Sequence, residues 1–196
     1  MSYNPYTTKE FKINKDLKGI SSKTIEEHLK LYAGYVKHTN LILEKIVELS
    51  EDTEKNLYTI GELKRRLGFE FGGMRNHEYY FSQFEGDAVA MNTESALYKK
   101  IESIWGSYEK WLSEFKTLAM TRGVGWAILY HDDTNDNLIN TWVGEQHEGH
   151  LTGLKPVLVL DMWEHSYMLD VAPSEKKKYV EAFFENVNFG IVEGRF

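Results

Sequence analysis

The sequence contains no cysteine among its 196 residues. This absence excludes disulfide bonds, thiolate metal sites and thiol catalysis, so any bound metal must be held by imidazole and carboxylate groups. Such a donor set suits iron, manganese or zinc. The missing cysteine also fits a reducing compartment.

Long apolar runs and an excess of positive charge are missing as well. No segment approaches the roughly 18 apolar residues that a membrane-spanning helix needs, and residues 1–21 show no cationic leader followed by an apolar stretch. The formal net charge is -7, and the basic residues are scattered apart from residues 176–178. We therefore expect a cytoplasmic protein with no membrane or nucleic-acid partner, in which a local positive field can still attract a small anion.

The N-terminal part has helical periodicity. Apolar positions follow helical spacing from an N-cap at Ser21 or Ser22 to Leu49. After a polar break at residues 51–54, a second helical region ends near Phe84, and its glycines are expected to interrupt it. The two regions predict an antiparallel helical hairpin in residues 1–86.

The remaining residues, 87–196, predict a C-terminal domain that contains strands. A helix-rich stretch, in which Trp105 and Trp111 are the expected core residues, precedes two segments, 126–130 and 138–143, that flank a polar turn. A third, buried strand follows at 156–160, and a last helix begins near Ser174. The predicted fold class is α+β, with a helical hairpin followed by a three-stranded antiparallel sheet.

Asp161 and His165 lie four residues apart where the third strand should end, so they could hold a metal from one short segment. Taken alone, Asp161 is better explained as a helix N-cap, and any one of the seven histidines is more often a surface or core residue than a ligand. The placement of His28 and His77 on the two arms of the hairpin changes this interpretation. Four ligands can then converge between the two lobes.

Several segments carry a family resemblance. Asn76 and His77 precede three aromatic residues, Trp126 ends a Gly-Val-Gly-Trp string, and residues 161–165 read Asp-Met-Trp-Glu-His. Together with His28 and Tyr35, they resemble the iron/manganese superoxide dismutases in order and spacing. The resemblance implies the conversion of superoxide to dioxygen and hydrogen peroxide at one iron or manganese ion per chain. The ligands it implies are His28, His77, Asp161 and His165.

The resemblance also implies roles around the metal. Tyr35 would guard the substrate channel, and Trp126 and Trp163 would line the site. Glu164 would reach across a homodimer interface to the metal-bound histidine of the partner, and a tetramer remains an alternative.

A further glutamine or histidine in this family tunes the metal-bound solvent. The hairpin position that can supply it is Gly73 here, so the donor should come from the loop at residues 145–150. His147 aligns best, nine residues before Pro156. Gln146 is the alternative.

Three departures from the family pattern stand out. His28 and Tyr35 are seven residues apart, one fewer than usual, yet seven residues return a side chain to the same helix face within about 20°. Glu27 occupies the unshifted position. The family's interface tyrosine falls on Met168 and its partner on Leu31 or Tyr32. The steering arginine is missing near Ser174, where Lys176 could replace it.

Two other functions compete with dismutation. Three histidines and one aspartate could support metal-dependent hydrolysis, but no HExxH string supplies the general base. A family member that has lost its metal and serves as an interaction subunit is the non-enzymatic alternative. Retention of all four candidate ligands argues against it.

Overall fold

The computed structural model describes residues 3–14 and 17–196. Its first feature is a helical hairpin in which α1 (Ser22–Leu49) and α2 (Thr53–Ser82) are joined by a 3-10 turn, Ser50–Asp52. Ser21 and Asp52 cap the two helices, and each accepts a hydrogen bond from the backbone N–H three residues later. The predicted hairpin is confirmed.

Glycines do not interrupt α2, in contrast to the prediction from the sequence. Two of them serve close packing instead. A Cβ atom on Gly73 would lie 2.5 Å from the Tyr35 ring, and one on Gly72 would lie 2.2 Å from the carbonyl oxygen of Gln146. Because both positions lack a side chain, α1 and a loop from the C-terminal half can approach α2 closely.

An N-terminal segment, residues 3–14, runs along the hairpin. Tyr6 and Asn40 exchange two hydrogen bonds of 2.8 Å, one from the Tyr6 N–H and one to its carbonyl oxygen. The Lys9 N–H donates to the Tyr32 hydroxyl at 2.9 Å. These contacts fix the segment against α1.

Two shorter helices, α3 (Ala96–Trp105) and α4 (Tyr108–Ala119), begin the C-terminal half. Gly106 separates them with a φ of 84°, a left-handed conformation that glycine adopts without strain. Trp111 is fully buried, whereas Trp105 is only partly buried. Only Trp111 therefore has the full core position that the sequence predicts for both tryptophans.

A three-stranded antiparallel sheet follows, as predicted. Its strands are β1 (Gly125–Asp132), β2 (Asn137–Gly144) and β3 (Lys155–Asp161), and β1 lies in the centre. All but the last residue of β1 are buried. Since β1 pairs with β2 up to its last residue, the polar turn shrinks from the predicted residues 131–137 to residues 133–136.

Gln83 connects the hairpin to the sheet next to the predicted metal site. Its Nε2 donates to the carbonyl oxygen of Val159 at 2.7 Å, and its Oε1 accepts from the Val159 N–H at 2.8 Å. Asp161 lies two residues further along β3. The buried Gln83 amide therefore sets the position of this strand relative to α2.

The chain ends with α5 (Lys176–Asn186) and α6 (Phe189–Glu193). Tyr179 and Phe183 of α5 are buried, and the Phe183 ring stacks on Tyr80 of the hairpin at 6.0 Å. The predicted α+β fold class is confirmed. None of the helices in residues 3–14 and 17–196 combines the length and the hydropathy of a bilayer-spanning segment.

Candidate metal centre

Four side chains converge between the hairpin and the sheet. They are His28 on α1, His77 on α2, Asp161 at the last position of β3 and His165 in the 3-10 turn that follows β3. Asp161 Oδ2 lies 3.1, 3.7 and 3.2 Å from Nε2 of the three histidines, in chain order. One ligand atom of each residue lies within 4.8 Å of all the others. A single ion can therefore contact all four side chains.

The backbone fixes the tautomer of His77. Its Nδ1 lies 2.6 Å from the carbonyl oxygen of Gly73. A carbonyl oxygen only accepts, so Nδ1 carries the hydrogen and Nε2 keeps a free lone pair. This Nε2 is buried and has no hydrogen-bond partner among the described residues. A metal ion at the cluster would satisfy an atom that is otherwise costly to bury.

The carboxylate of Asp161 is oriented and ionised. Its Oδ1 accepts a hydrogen bond from the Trp163 N–H at 2.8 Å, which leaves Oδ2 facing the imidazoles. Burial alone would raise the pKa of Asp161, but the imidazoles of His165 and His28 outweigh burial and hold the pKa below its usual range.

Burial favours the neutral form of two histidines of the cluster. Burial lowers the pKa of His28. Burial also lowers the pKa of His77 to about 3, and the neighbouring His28 contributes to this decrease. Neutral imidazole is the form that binds metals. The donor set of imidazole nitrogens and one carboxylate oxygen therefore fits an iron or manganese ion.

The three aromatic residues that the sequence analysis assigns to the site lie against this cluster. The rings of Trp126 and Tyr35 lie 5.0 Å from the His77 ring, and Trp163 stacks on His165 at 5.7 Å. Trp126 is fully buried, and the other two are partly buried. They enclose the histidines in apolar surroundings.

Gln146, rather than His147, faces the cluster. Its Nε2 donates to the Tyr35 hydroxyl oxygen at 2.9 Å, and its Oε1 accepts from Trp126 Nε1 at 3.0 Å. The two contacts also fix the orientation of the amide. Of the two candidates, it is the alternative Gln146, and not the preferred His147, whose side chain contacts Tyr35 and Trp126.

His147 lies on the outer side of the loop. Its ring packs edge-on against Phe69 at 5.8 Å and lies beside Gly68 on α2. Glu145, directly before Gln146, has a φ of 48°, which lies in the left-handed region. Counting residues back from Pro156 in the sequence does not reveal this backbone conformation.

The short spacing between His28 and Tyr35 leaves α1 intact. The helix is continuous, and both side chains point to the cluster, since each ring lies within 5.0 Å of the His77 ring. Glu27, at the unshifted position, forms partly exposed ion pairs with two lysines instead. It does not belong to the described ligand cluster.

Comparison with known proteins supports one family. Residues 93–195 match the family model described as iron/manganese superoxide dismutases, C-terminal domain. A superoxide dismutase [Fe] of Cupriavidus metallidurans is 36% identical over 183 residues, which cover 92% of this chain and 90% of that protein. The chain belongs to the iron/manganese superoxide dismutases.

Other members of the family are similar over most of their length. A superoxide dismutase [Fe] of Aquifex pyrophilus is 34% identical over 92% of this chain and 86% of its own. A superoxide dismutase [Mn] of Mycobacterium leprae is 30% identical over 86% of this chain and 80% of its own. Relatives named for either metal are thus comparably similar, in agreement with a cluster that fits one iron or manganese ion.

In this member of the iron/manganese superoxide dismutases, Glu164 is exposed directly before His165. Leu31 and Met168 are also exposed, by 43% and 51%. Tyr32 is buried, and its hydroxyl donates to Glu78 at 3.2 Å. Of the two α1 positions considered for the interface partner, Leu31 is therefore the one at the surface.

The side chains of two residues contact the Gln146 carbonyl oxygen and were not identified from the sequence. This oxygen lies in the Gln146 loop, which we define as residues 145–150 and which includes one of the two residues, His150. Asn76 Nδ2 lies 3.1 Å and His150 Nε2 lies 3.3 Å from the carbonyl oxygen of Gln146. The sequence feature that points to Asn76 is its position directly before His77. His150 gives no signal, because it is one histidine in a polar loop.

Proposed function

We propose that the protein is a superoxide dismutase that converts two superoxide anions and two protons to dioxygen and hydrogen peroxide at one iron or manganese ion. The observation that carries the proposal is the buried convergence of three imidazoles and one ionised carboxylate, with an unpaired Nε2 on His77. Relatives named superoxide dismutase, similar over most of the chain, support it.

The proposed ligand atoms are Nε2 of each imidazole and Oδ2 of the carboxylate, from His28, His77, Asp161 and His165. A bound iron or manganese ion supplies one-electron redox chemistry by alternating between its trivalent and divalent states. The protein holds the ligand atoms in place through two backbone contacts, the Gly73 carbonyl to His77 and the Trp163 N–H to Asp161. Such outer contacts fix ring orientation and ligand basicity.

Tyr35 and Gln146 are the proposed proton-handling pair. Burial raises the pKa of Tyr35 well above its ordinary value, so the hydroxyl stays protonated at neutral pH. Because Gln146 Nε2 donates to the hydroxyl oxygen, the hydroxyl hydrogen is available to another acceptor. A hydroxyl held in this way can donate to an anion beside the cluster and support the protonation that peroxide formation requires.

Trp126 and Trp163 are proposed to exclude water from the ligands. Both indole N–H groups are bound by the same loop, since Trp126 donates to the Gln146 side chain and Trp163 donates to the Glu145 carbonyl oxygen at 3.0 Å. The rings are therefore held in place against the histidines. A fixed apolar wall limits reorganisation of solvent near the reacting anion.

We also propose a homodimer in which Glu164 reaches the metal-bound histidine of the partner; two such dimers would form a tetramer. Its support is the exposure of Glu164 beside a ligand, together with the apolar surface of Leu31 and Met168. Breaking a buried charged bond costs about 3 to 5 kcal/mol, so Glu164→Ala should weaken association and metal retention. Sedimentation of the wild-type protein as a monomer at micromolar concentration would contradict the dimer.

The domain division is proposed to lie at residues 86 and 87, so that each domain supplies two ligands to the shared centre. A cytoplasmic location is proposed from the missing cysteine, which suits a reducing compartment.

Elemental analysis combined with a dismutase assay tests the function. We expect stoichiometric iron or manganese, and activity after loading with one of these metals. His77→Ala should lose most of the metal and the activity, whereas the control His38→Ala changes an exposed residue of α1 and should lose neither. Zinc as the only retained metal, without dismutation, would favour the hydrolase. Full metal content and activity in His77→Ala would refute the ligand assignment.

A further inference from the structure

Three side chains bind the backbone carbonyls at the start of the Gln146 loop. Trp163, which lies between two proposed ligands, donates to the Glu145 carbonyl oxygen at 3.0 Å. Asn76, next to a third ligand, donates to the Gln146 carbonyl oxygen at 3.1 Å. His150 is the remaining one, with Nε2 3.3 Å from the same oxygen. It is the member of this set that lies outside the ligand-bearing segments.

The hydrogen bonds of His150 have a defined direction. A carbonyl oxygen only accepts, so Nε2 carries the ring hydrogen and donates to Gln146. Nδ1 then has a lone pair, and the Tyr130 hydroxyl donates to it. Burial lowers the pKa of His150 and raises that of Tyr130, so both groups are neutral at physiological pH. A chain of two hydrogen bonds thus runs from the Tyr130 hydroxyl of β1 through the His150 ring to the Gln146 carbonyl oxygen.

Backbone hydrogen bonds hold the start of the loop, from the Glu145 N–H to the Val124 carbonyl oxygen and between Gly144 and Glu148, and side-chain contacts add to them. Glu145 and Gly149 have φ values of 48° and 93°, and the loop lies beyond the end of β2. The Gln146 carbonyl oxygen has two lone pairs. Asn76 binds it from α2, and His150 binds it from within the loop, four residues later in the chain.

We propose that His150 is a positioning residue that anchors Gln146 to Tyr130 of β1 and thereby holds the Gln146 amide against Tyr35. The expected effect on superoxide turnover rests on the proposed function. The expected effect on the mobility of the loop does not depend on the proposed function.

Two substitutions separate the contributions of the ring nitrogens. His150→Gln can place an amide N–H near the former Nε2, so it should keep the bond to the Gln146 carbonyl oxygen. His150→Asn can place its oxygen near the former Nδ1, so it should keep only the bond from Tyr130. The measurement is backbone hydrogen exchange of residues 145–150 in the metal-loaded protein, followed by mass spectrometry. We expect exchange about fivefold faster in His150→Asn, the worth of one hydrogen bond, and a rate close to wild type in His150→Gln.

Superoxide turnover of the same samples gives the second readout. We expect a several-fold lower kcat in His150→Asn at unchanged metal content, and recovery in His150→Gln. Tyr130→Phe keeps the His150 ring but removes the hydroxyl that fixes its tautomer. It should also accelerate exchange of the loop, by a smaller factor.

His131 provides the matched control. It follows Tyr130 on β1, but its ring packs on Phe196 at 4.3 Å instead of binding the loop. His131→Gln and His131→Asn should leave exchange of residues 145–150 unchanged.

Equal exchange rates in His150→Asn and His150→Gln would overturn the proposal. An exchange rate in Tyr130→Phe that equals that of the wild type would also overturn it. The Tyr130→Phe measurement decides the question if neither His150 variant folds. An inactive wild-type protein with bound iron or manganese would refute the proposed function, and the exchange rates would still decide the role of His150.

Discussion

The two sides of the cluster are built differently. On the ligand side, three fully buried residues, His28, His77 and Asp161, project from two helices and the end of a strand. On the loop side, Gln146 is carried by an irregular segment whose position depends on a few hydrogen bonds. Packing of regular elements therefore sets the ligand side, while individual polar contacts set the loop side. Ligand-side changes should remove the metal, and loop-side changes should alter activity with the metal retained.

The largest effect is expected for Asp161→Asn. The substitution removes the negative charge of the cluster and leaves three imidazoles without a carboxylate. Loss of an outer contact alone costs about 10- to 100-fold in metal affinity or activity, so we expect a loss of about 100-fold or more here. Metal analysis and the dismutase assay measure it, with Asp133→Asn in the exposed turn as the control. Full metal content in Asp161→Asn would break the comparison between the two sides.

Acid should destabilise the ligand side of the metal-free protein. The pKa of His77 is about 3 in the folded chain against an ordinary 6.5, and that of His28 is also lowered. The unfolded chain therefore binds more protons, so this stabilisation is complete above pH 6.5 and is lost as the pH falls towards 3. We expect the free energy of unfolding to fall by up to about 1.4 kcal/mol per pH unit for each histidine.

Urea unfolding at pH 7, 5.5 and 4 measures this loss. His77→Gln removes one of the two histidines with a lowered pKa, so its stability should depend less on pH. Equal stability of the wild-type protein at all three pH values would contradict the prediction.

Gly72→Ala should disturb the loop side without removing the metal. The added Cβ would lie 2.2 Å from the backbone oxygen of Gln146, so the loop must move. Overpacking of this kind costs about 1 to 3 kcal/mol, and activity should fall. Gly61→Ala is the matched control on the same helix, because nothing lies within 4 Å of its Cβ, and it should stabilise by up to about 1 kcal/mol. Thermal unfolding that shows Gly72→Ala to be no less stable than Gly61→Ala would contradict the close contact.

The smallest expected difference separates Gln146→Ala from His147→Ala. Truncation of Gln146 leaves Tyr35 and the buried Trp126 N–H without a partner, whereas truncation of His147 removes a ring contact with Phe69. We expect Gln146→Ala to be less stable by about 1 kcal/mol and to be the less active variant at equal metal content. If His147→Ala were instead the less stable and the less active variant, His147 would be favoured over Gln146 as the outer donor.

The comparison also explains how much could be predicted from the sequence. The first helix of the hairpin follows from apolar positions about 3.6 residues apart. The sheet follows from apolar segments that flank a polar turn and from a third apolar run, since β1 and β3 are buried almost throughout. The convergence of the four residues follows once those elements are packed, and they are His28, His77, Asp161 and His165. The choice between Gln146 and His147 as the residue facing Tyr35 could not be made from the sequence, because both lie in an irregular loop that starts with a positive φ at Glu145. The contact of His150 was equally hidden, since its partner Tyr130 lies 20 residues away on another element.

The chain separation within the cluster sets an order of events during biosynthesis. His28 and Asp161 are in contact although 133 residues separate them, whereas α1 and α2 follow one another directly. Local contacts form faster than distant ones, and the N-terminal part of a chain leaves the ribosome first. The hairpin can therefore form during translation, while the carboxylate joins it only after β3 has been made. Binding of one ion by all four side chains therefore requires that the chain has been made at least as far as His165.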